Sequence, residues 1–153
     1  MGYVTAKTTW PTAVQLDASV KELIDLFYTL ADDKSSDAGP RLAAEVFTKD
    51  ATMGSSAGTA QGTEAISHSR DNAWNIVASR HHTVLQVFVS DSAGRDLTLI
   101  GELTQVFNNG KELTAQFVAH LVVDAESHRA GKPRLSLMQV FADSAPFAAA
   151  AKA

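Results

Sequence analysis

Apolar side chains near the start of the chain recur at the three- and four-residue spacing of a helix. The clearest stripe consists of Val20, Leu23, Ile24, Phe27 and Leu30. Ser19 or Asp17 can serve as the N-cap of this segment, and the polar run 32–37 ends it. The pattern therefore predicts an amphipathic first helix whose apolar side faces the core.

Two further helices are predicted in the first half of the chain. Gly39-Pro40 indicates the start of the second, because proline is tolerated in a first turn; its stripe is Leu42, Ala43, Val46 and Phe47. Thr63 can cap the third, whose inner face would be Ile66, Arg70, Ala73, Trp74 and Val77. Residues 52–62 are rich in Gly, Ser, Thr and Ala, which predicts a short strand and a loop between them.

After Ala78 the pattern changes to the composition and alternation of β-strands. Four strands are predicted, at residues 80–90, 97–107, 112–123 and 134–142. Asn108-Asn109-Gly110 is a hairpin signal, and strands joined by hairpins are antiparallel. Helices that precede an antiparallel sheet predict an α+β fold, in which the helices pack into one face of a curved sheet around a pocket.

Both faces of the predicted strand 112–123 are apolar. One face carries Leu113, Ala115, Phe117, Ala119 and Leu121, and the other carries Thr114, Gln116, Val118, His120 and Val122. An antiparallel sheet in a monomer usually leaves one face to water. We therefore expect helices on one face and a second copy of the chain on the other, which predicts a homodimer through the sheet.

The composition is that of an ordinary globular protein, with 45% apolar and 20% charged residues among 153. One domain, 1–153, is expected, with its core over 16–143 and a peripheral N-terminal arm and alanine-rich tail. The net charge is −4 and Lys and Arg are scattered, which argues against nucleic acid or a membrane surface as partner. Cysteine is absent and residues 1–16 hold no apolar run of signal-peptide length, so a cytoplasmic location is expected.

The order of elements and three local motifs together resemble a known superfamily. The motifs are Val46-Phe47-Thr48-Lys49-Asp50-Ala51-Thr52-Met53, Gln61-Gly62-Thr63-Glu64-Ala65-Ile66 and Arg80-His81-His82. In this order and spacing the chain resembles, over residues 16–143, the nuclear-transport-factor-2-like superfamily, and within it the SnoaL-like enzymes and scytalone dehydratase. The resemblance implies a cone-shaped α+β fold, which hosts dehydratases, isomerases, cyclases, hydrolases and non-catalytic modules.

Histidines inside apolar strands are the first candidates for chemistry, because histidine titrates near neutral pH. The resemblance places His82 where scytalone dehydratase has a catalytic histidine. Strand alternation allows only one of His81 and His82 to point inward, and we predict His82. His120 stands in the most apolar strand, where the resemblance implies a polar cavity residue. The alternative for each is a packed histidine with no chemical role.

Carboxylates near the predicted pocket are the second set of candidates. Glu102 lies between apolar neighbours, where a carboxylate is costly to bury unless it is paired, so it is predicted to act as a base or to orient a histidine. Asp32 and Asp33 follow helix one, where scytalone dehydratase has an acidic residue after a tyrosine, and Asp33 is predicted to take that role. The tyrosine itself is not matched at that position. Exposed positions are the alternative for all three.

The predicted function is a small cofactor-independent enzyme. Its substrate-binding residues would be Met53, Arg70, Trp74, Phe88, Gln116 and Met138. No metal is predicted, since the spacing of His and Glu matches no metal motif. The resemblance implies isomerisation, cyclisation or dehydration of an apolar oxygenated molecule, such as a polyketide or terpenoid intermediate. The alternatives are a binding or dimerisation module of the same fold, or an epoxide or ester hydrolase that uses Asp33, Glu102 and Arg70.

Overall fold

The computed structural model describes residues 2–152 and consists of helices packed against one sheet. Within these residues the α-helices are Ala18–Ala31 (α1), Ala38–Arg41 (α2), Gly62–Ser67 (α3), Ala125–Arg129 (α4) and Ala145–Lys152 (α5), and a π-helical turn spans Leu42–Val46. The strands are Phe47–Ser55 (β1), Gly58–Gln61 (β2), Val77–Val89 (β3), Asp96–Phe107 (β4), Glu112–Val123 (β5) and Leu135–Phe141 (β6). In this described part of the chain, every helix is too short or too polar to cross a lipid bilayer.

The strands form a single curved sheet in the order β2-β1-β6-β5-β4-β3. The four strands from β3 to β6 pair antiparallel in sequence order, which confirms the predicted hairpin succession and the α+β class. β1 pairs parallel with β6, a contact that the sequence did not predict. A parallel pair is possible here because the four strands β2 to β5 separate β1 from β6 along the chain, so no hairpin joins the two.

The third predicted helix is wrong beyond Ser67, where α3 ends. Residues 68–74 form turns, which local polar contacts stabilise. The His68 ring lies 2.9 Å from the Asp71 carboxylate in one of them. Side chains of this kind compete with helical backbone bonding and favour turns. Of the predicted inner face, Ile66 therefore lies on α3, whereas Arg70, Ala73, Trp74 and Val77 do not lie on a helix.

The second helix and the segment after it also differ from the prediction. α2 is a short helix that continues as the π-helical turn, and Phe47 begins β1 instead of closing the helix. Val46, at the end of the π-helical turn, is fully buried. Residues 52–62, predicted as a short strand and loop, instead supply part of β1 and all of β2, which pair as a hairpin with Ser55 opposite Gly58.

The N-terminal arm, predicted to be peripheral, belongs to the core. Val4 is 2% exposed and packs in the same apolar cluster as the inner stripe of α1. The carboxylate of Asp25 on α1 accepts hydrogen bonds from the backbone N–H groups of Val4 and Thr5, each at 3.1 Å. The arm is therefore tied both to α1 and to the sheet.

The two faces of the sheet differ in what covers them. The inner face packs on α1 and carries, from β4 and β5, the buried residues Leu97, Leu99, Phe107, Phe117, Ala119, Leu121 and Val123. The outer face is defined here by the alternate residues of the same strands, Thr98, Ile100, Glu102 and Thr104 of β4 and Thr114, Gln116, Val118, His120 and Val122 of β5. Val118 on this face is 37% exposed.

Candidate active site

A cavity of about 680 Å³ lies between α1, the inner face of the sheet and the β1–β2 hairpin. Much of its wall is apolar, with contributions from Phe27, Ala31, Met53, Leu103, Met138 and Val140. The tip of the β1–β2 hairpin and residues 142–147 complete the lining, so Phe147 of the alanine-rich tail also reaches it. The predicted cavity residues Met53 and Met138 both lie in this wall.

His82, which lines this cavity, forms a buried pair with Asp32 behind it. The Nδ1 of His82 lies 2.5 Å from one carboxylate oxygen of Asp32, and the backbone N–H of His82 donates to the other oxygen at 2.8 Å. The Asp32 side chain is 2% exposed and the His82 side chain is 13% exposed. Helix α1 and strand β3 thus hold the imidazole in one orientation through two contacts to a single carboxylate.

The pairing decides which nitrogen of His82 is basic. A carboxylate accepts hydrogen bonds, so Nδ1 carries the proton and Nε2 keeps the lone pair. Burial lowers the pKa of His82 below its ordinary value of 6.5, and the hydrogen bond and charge of Asp32 oppose this effect only in part. His82 is therefore neutral at pH 7, with Nε2 available to accept a proton.

Tyr28 lies one helical turn before Asp32 on α1 and lines the same cavity. Its ring centroid is 5.0 Å from that of His82 and 5.7 Å from that of Phe117. Its hydroxyl is buried and has no hydrogen-bond partner among residues 2–152. Burial, followed by the charge of Asp32, raises the pKa of Tyr28, so the phenol stays protonated and can donate a hydrogen bond to a ligand.

Two arginines complete the polar part of the cavity wall. Arg70 comes from the turns after α3, and Arg80 comes from β3, where it lies opposite Gln105 of β4. The guanidinium carbon of Arg80 lies 4.8 Å from the centroid of the Trp74 ring. Trp74, predicted as a substrate contact, is not a cavity residue; it stacks on Arg80 from outside.

Four other predicted site residues lie away from the cavity. Glu102, Gln116 and His120 belong to the outer face of the sheet, and Phe88 is 44% exposed. The Nε2 of His120 lies 2.8 Å from the carboxylate of Asp96, and both side chains are more than one-third exposed. Side chains alternate along a strand, and in β4 and β5 residues such as Leu103 and Phe117 hold the inward positions. Glu102, Gln116 and His120 therefore point outward. The roles predicted for these four residues in a shared pocket are corrected accordingly.

Asp33 is a further correction. Its carboxylate accepts hydrogen bonds from the backbone N–H of Ser35 at 2.8 Å and from the Ser35 hydroxyl at 3.1 Å, both of them solvent-exposed. The neighbouring Asp32 occupies the inward position instead. Asp32 keeps helical backbone angles as the C-cap of α1, so its side chain continues the inward row that runs through Tyr28.

Sequence reasoning missed three residues of the site and chose Asp33 over a fourth, Asp32. The four are Tyr28, Asp32, Arg80 and Gln105, all of which line the cavity or bond to His82. A usable signal existed for Tyr28, because positions 20, 24 and 28 are spaced by four residues and share one face of the helix. Arg80 shares strand parity with His82, which places both on the inner face. In the described chain, 2–152, no three His, Asp or Glu side chains converge as metal ligands.

Several solved structures share this fold at low sequence identity. A ketosteroid isomerase-like protein from Catenulispora acidiphila DSM 44928, solved with trimethylamine, has a TM-score of 0.68 and 15% identity over 86% of this chain and 92% of that one. A protein from Jannaschia sp. CCS1 described as a SnoaL-like polyketide cyclase has a TM-score of 0.64 and 17% identity, over 88% and 90%. The type 2 hexachlorocyclohexane dehydrochlorinase LinA has a TM-score of 0.64 and 16% identity, over 81% and 82%.

No protein-family model and no curated protein sequence matches the chain. At such identities the likeness to solved structures establishes the fold alone. The chain has the nuclear-transport-factor-2-like cone fold, shared with ketosteroid isomerase-like and SnoaL-like proteins, which confirms the resemblance given by the sequence motifs.

Proposed function

We propose that this protein is an acid–base enzyme that moves a proton on a largely apolar, oxygenated small molecule. The observation that carries the proposal is that His82, in the wall of a cavity of about 680 Å³, is paired with the buried carboxylate of Asp32. A neutral histidine held by a buried carboxylate and facing an apolar cavity has the arrangement of a general base. The position of His82 also agrees with the role that the resemblance implied for it.

In the proposed reaction, Nε2 of His82 removes a proton from a carbon next to the carbonyl group of the substrate. The electron pair of the broken C–H bond moves into the carbonyl to form an enolate, and Asp32 stabilises the imidazolium. The same proton then returns to another carbon of the conjugated system, which is isomerisation. In a cyclisation the enolate carbon instead attacks a second carbonyl carbon of the substrate, and the oxygen of that carbonyl takes the proton from His82. Alternatively the proton passes to a neighbouring hydroxyl that leaves as water, which is dehydration.

Tyr28 supplies the electrophile in this scheme. Its buried hydroxyl, which lacks a partner within the described residues, donates a hydrogen bond to the substrate carbonyl oxygen as negative charge develops there. The solved structures of the same fold named as a polyketide cyclase and a dehydrochlorinase support a small-molecule reaction of this class. The hydrolase alternative loses support, because Asp33 and Glu102 do not lie beside Arg70 in the cavity.

Proton exchange at carbon tests the proposal without knowledge of the natural substrate. We expect the protein to accelerate hydrogen–deuterium exchange next to the carbonyl of β-tetralone in heavy water, followed by proton NMR. His82→Gln should lower the enzyme-dependent rate by about 10²–10⁴-fold, the usual contribution of a general base. His81→Gln is the matched control, because His81 precedes His82 but is 46% exposed and outside the cavity. Equal rates for the wild type and His82→Gln would refute the role of His82.

The homodimer through the sheet remains a proposal, and exposed apolar side chains support it. Phe141 of β6 is 59% exposed and lies opposite Val118 of β5 on the outer face. Ile100 of β4 lies opposite Val118 on its other side. Three adjacent strands thus present a contiguous apolar strip, which a second copy of the chain would bury.

A further inference from the structure

Two largely buried arginines in the cavity wall have no acidic partner. The Nη2 of Arg70 donates to the carbonyl oxygen of Ala31 at 2.5 Å, and the Nη2 of Arg80 donates to that of Ala73 at 3.2 Å. Both acceptors are neutral main-chain groups. Among residues 2–152, neither guanidinium has a carboxylate within 4.0 Å.

The charges in the cavity wall do not balance. Asp32 is the buried carboxylate nearest to this pair of arginines, and both of its oxygens are already bonded to His82. Burial and the charge of Arg80 lower the pKa of Arg70 to about 10, which still leaves it protonated at pH 7. Asp143 lies at the exposed rim, where it accepts a hydrogen bond from the backbone of α5. The inner wall therefore carries two positive charges against one negative charge.

Unused hydrogen-bond donors accompany this excess of positive charge. The Nε of Arg70 and the Nη1 of Arg80 are buried without an acceptor within the described chain. A buried donor without a partner is costly, and a buried charge without a counter-charge is more so. An anionic group bound in the cavity would relieve the charge imbalance.

We propose that Arg70 and Arg80 bind a carboxylate group of the substrate. Guanidinium groups match carboxylates in shape and charge, so two of them select a carboxylate over a neutral amide or ketone. The inference rests on the proposed function in one respect: the bound carboxylate would hold the reacting carbon beside Nε2 of His82. The substrate class is then an apolar carboxylic acid that also carries a carbonyl group.

A pair of probes of equal shape tests this inference. β-Naphthoate and β-naphthamide differ in charge but hardly in size, and both are small enough for the cavity. We expect the wild-type protein to bind the naphthoate at least about tenfold more tightly by isothermal titration calorimetry, since charge-assisted hydrogen bonds exceed neutral ones by that order. Equal affinities, or no binding of naphthoate at about 1 mM, would overturn the inference whatever the variants do.

Arginine variants then test whether Arg70 and Arg80 bind the carboxylate of naphthoate. Arg80→Met should reduce the preference for naphthoate to within about twofold, mainly through weaker naphthoate binding, and measurable naphthamide binding shows that the variant is folded. Arg129→Met on the exposed part of α4 is the matched control and should keep the full preference. In a Trp10→Phe background, Trp74 is the remaining tryptophan and stacks on Arg80, so its fluorescence should change when naphthoate binds. A preference that survives in both Arg80→Met and Arg70→Met would refute the assignment.

The experiments distinguish failure of the acid–base function from failure of the carboxylate site. A naphthoate preference that persists in His82→Gln supports the carboxylate site, even where β-tetralone exchange shows no role for His82. Conversely, exchange that depends on His82 together with equal affinity for the two probes keeps the acid–base function and removes the carboxylate site.

Discussion

Replacement of Asp32 by asparagine should reverse the tautomer of His82. In the wild type one carboxylate oxygen accepts from the backbone N–H of His82 and the other lies 2.5 Å from Nδ1. An asparagine has one acceptor and one donor. If its oxygen keeps the backbone contact, its NH₂ group faces Nδ1, which must then give up its proton and become an acceptor. The proton moves to Nε2, where the base was.

The magnitude follows from the contact that is lost. A hydrogen bond to a charged group contributes about 1.5–3 kcal/mol, so the loss of the Asp32 carboxylate changes the tautomer ratio of His82 by roughly tenfold to somewhat above a hundredfold. The fraction of His82 with a free Nε2 falls by the same factor. Exchange of β-tetralone in Asp32→Asn should therefore fall by about 10–10²-fold or more. The pKa of His82 should also fall further, because burial then acts without the opposing charge.

Long-range proton–nitrogen correlation NMR measures this tautomer directly and needs no substrate. The wild-type spectrum should show His82, assigned through its loss in His82→Gln, with its proton on Nδ1 at pH 7.5. Asp33→Asn is the control, because the Asp33 carboxylate bonds Ser35 and not His82. If His82 in Asp32→Asn still carries its proton on Nδ1, the role given to the carboxylate is wrong.

Three further outcomes are expected. The pKa of His82 in the folded chain lies below 6.5, so the unfolded chain takes up a proton first as pH falls. The free energy of unfolding, measured in urea, should therefore decrease below pH 6.5. The dependence of this free energy on pH should be weaker in His82→Gln. Gly101→Ala would drive a methyl group into the Phe117 ring and should lower the free energy of unfolding by about 1–3 kcal/mol. The double variant Gly101→Ala/Phe117→Leu, which has no ring at that position, should recover part of this loss in a denaturant titration. Light scattering should give about twice the 16.3 kDa chain mass, and Val118→Lys should give the single-chain mass; a wild-type monomer would end the dimer proposal.

The fold was largely predictable because the strongest local signals agree with it. Strand alternation and the Asn109-Gly110 turn predicted the antiparallel succession, and the predicted strand 112–123 has the bounds that β5 has in the structure. The parallel pair of β1 with β6 was not predictable, because it joins segments that are far apart in sequence. The third helix failed because polar side chains such as His68 and Asp71 bond locally in turns.

The candidate site was predictable only where the alternation of side chains along a strand determines which residue faces inward. His82 and His81 differ in direction whatever the register, so one of them had to face inward. His120 and Glu102 lie in strands with two apolar faces, and only the observed packing of α1 shows which face is inside. Asp32 and Asp33 could not be separated, since the choice depends on the angle at which a helix ends.

The N-terminal arm also covers part of one edge of the sheet and so limits pairing of that edge with other chains. β3 is the last strand of the sheet, and an open strand edge is a template for pairing with another chain. The carbonyl of Val4 accepts from the Val84 N–H, and Thr9 donates to the Leu85 carbonyl and accepts from the Val87 N–H, so the arm occupies that edge. The opposite edge is the four-residue strand β2, which is too short to recruit a partner strand well. A version of the chain that begins after residue 10 should therefore aggregate at high concentration, even though the residues around His82 are unchanged.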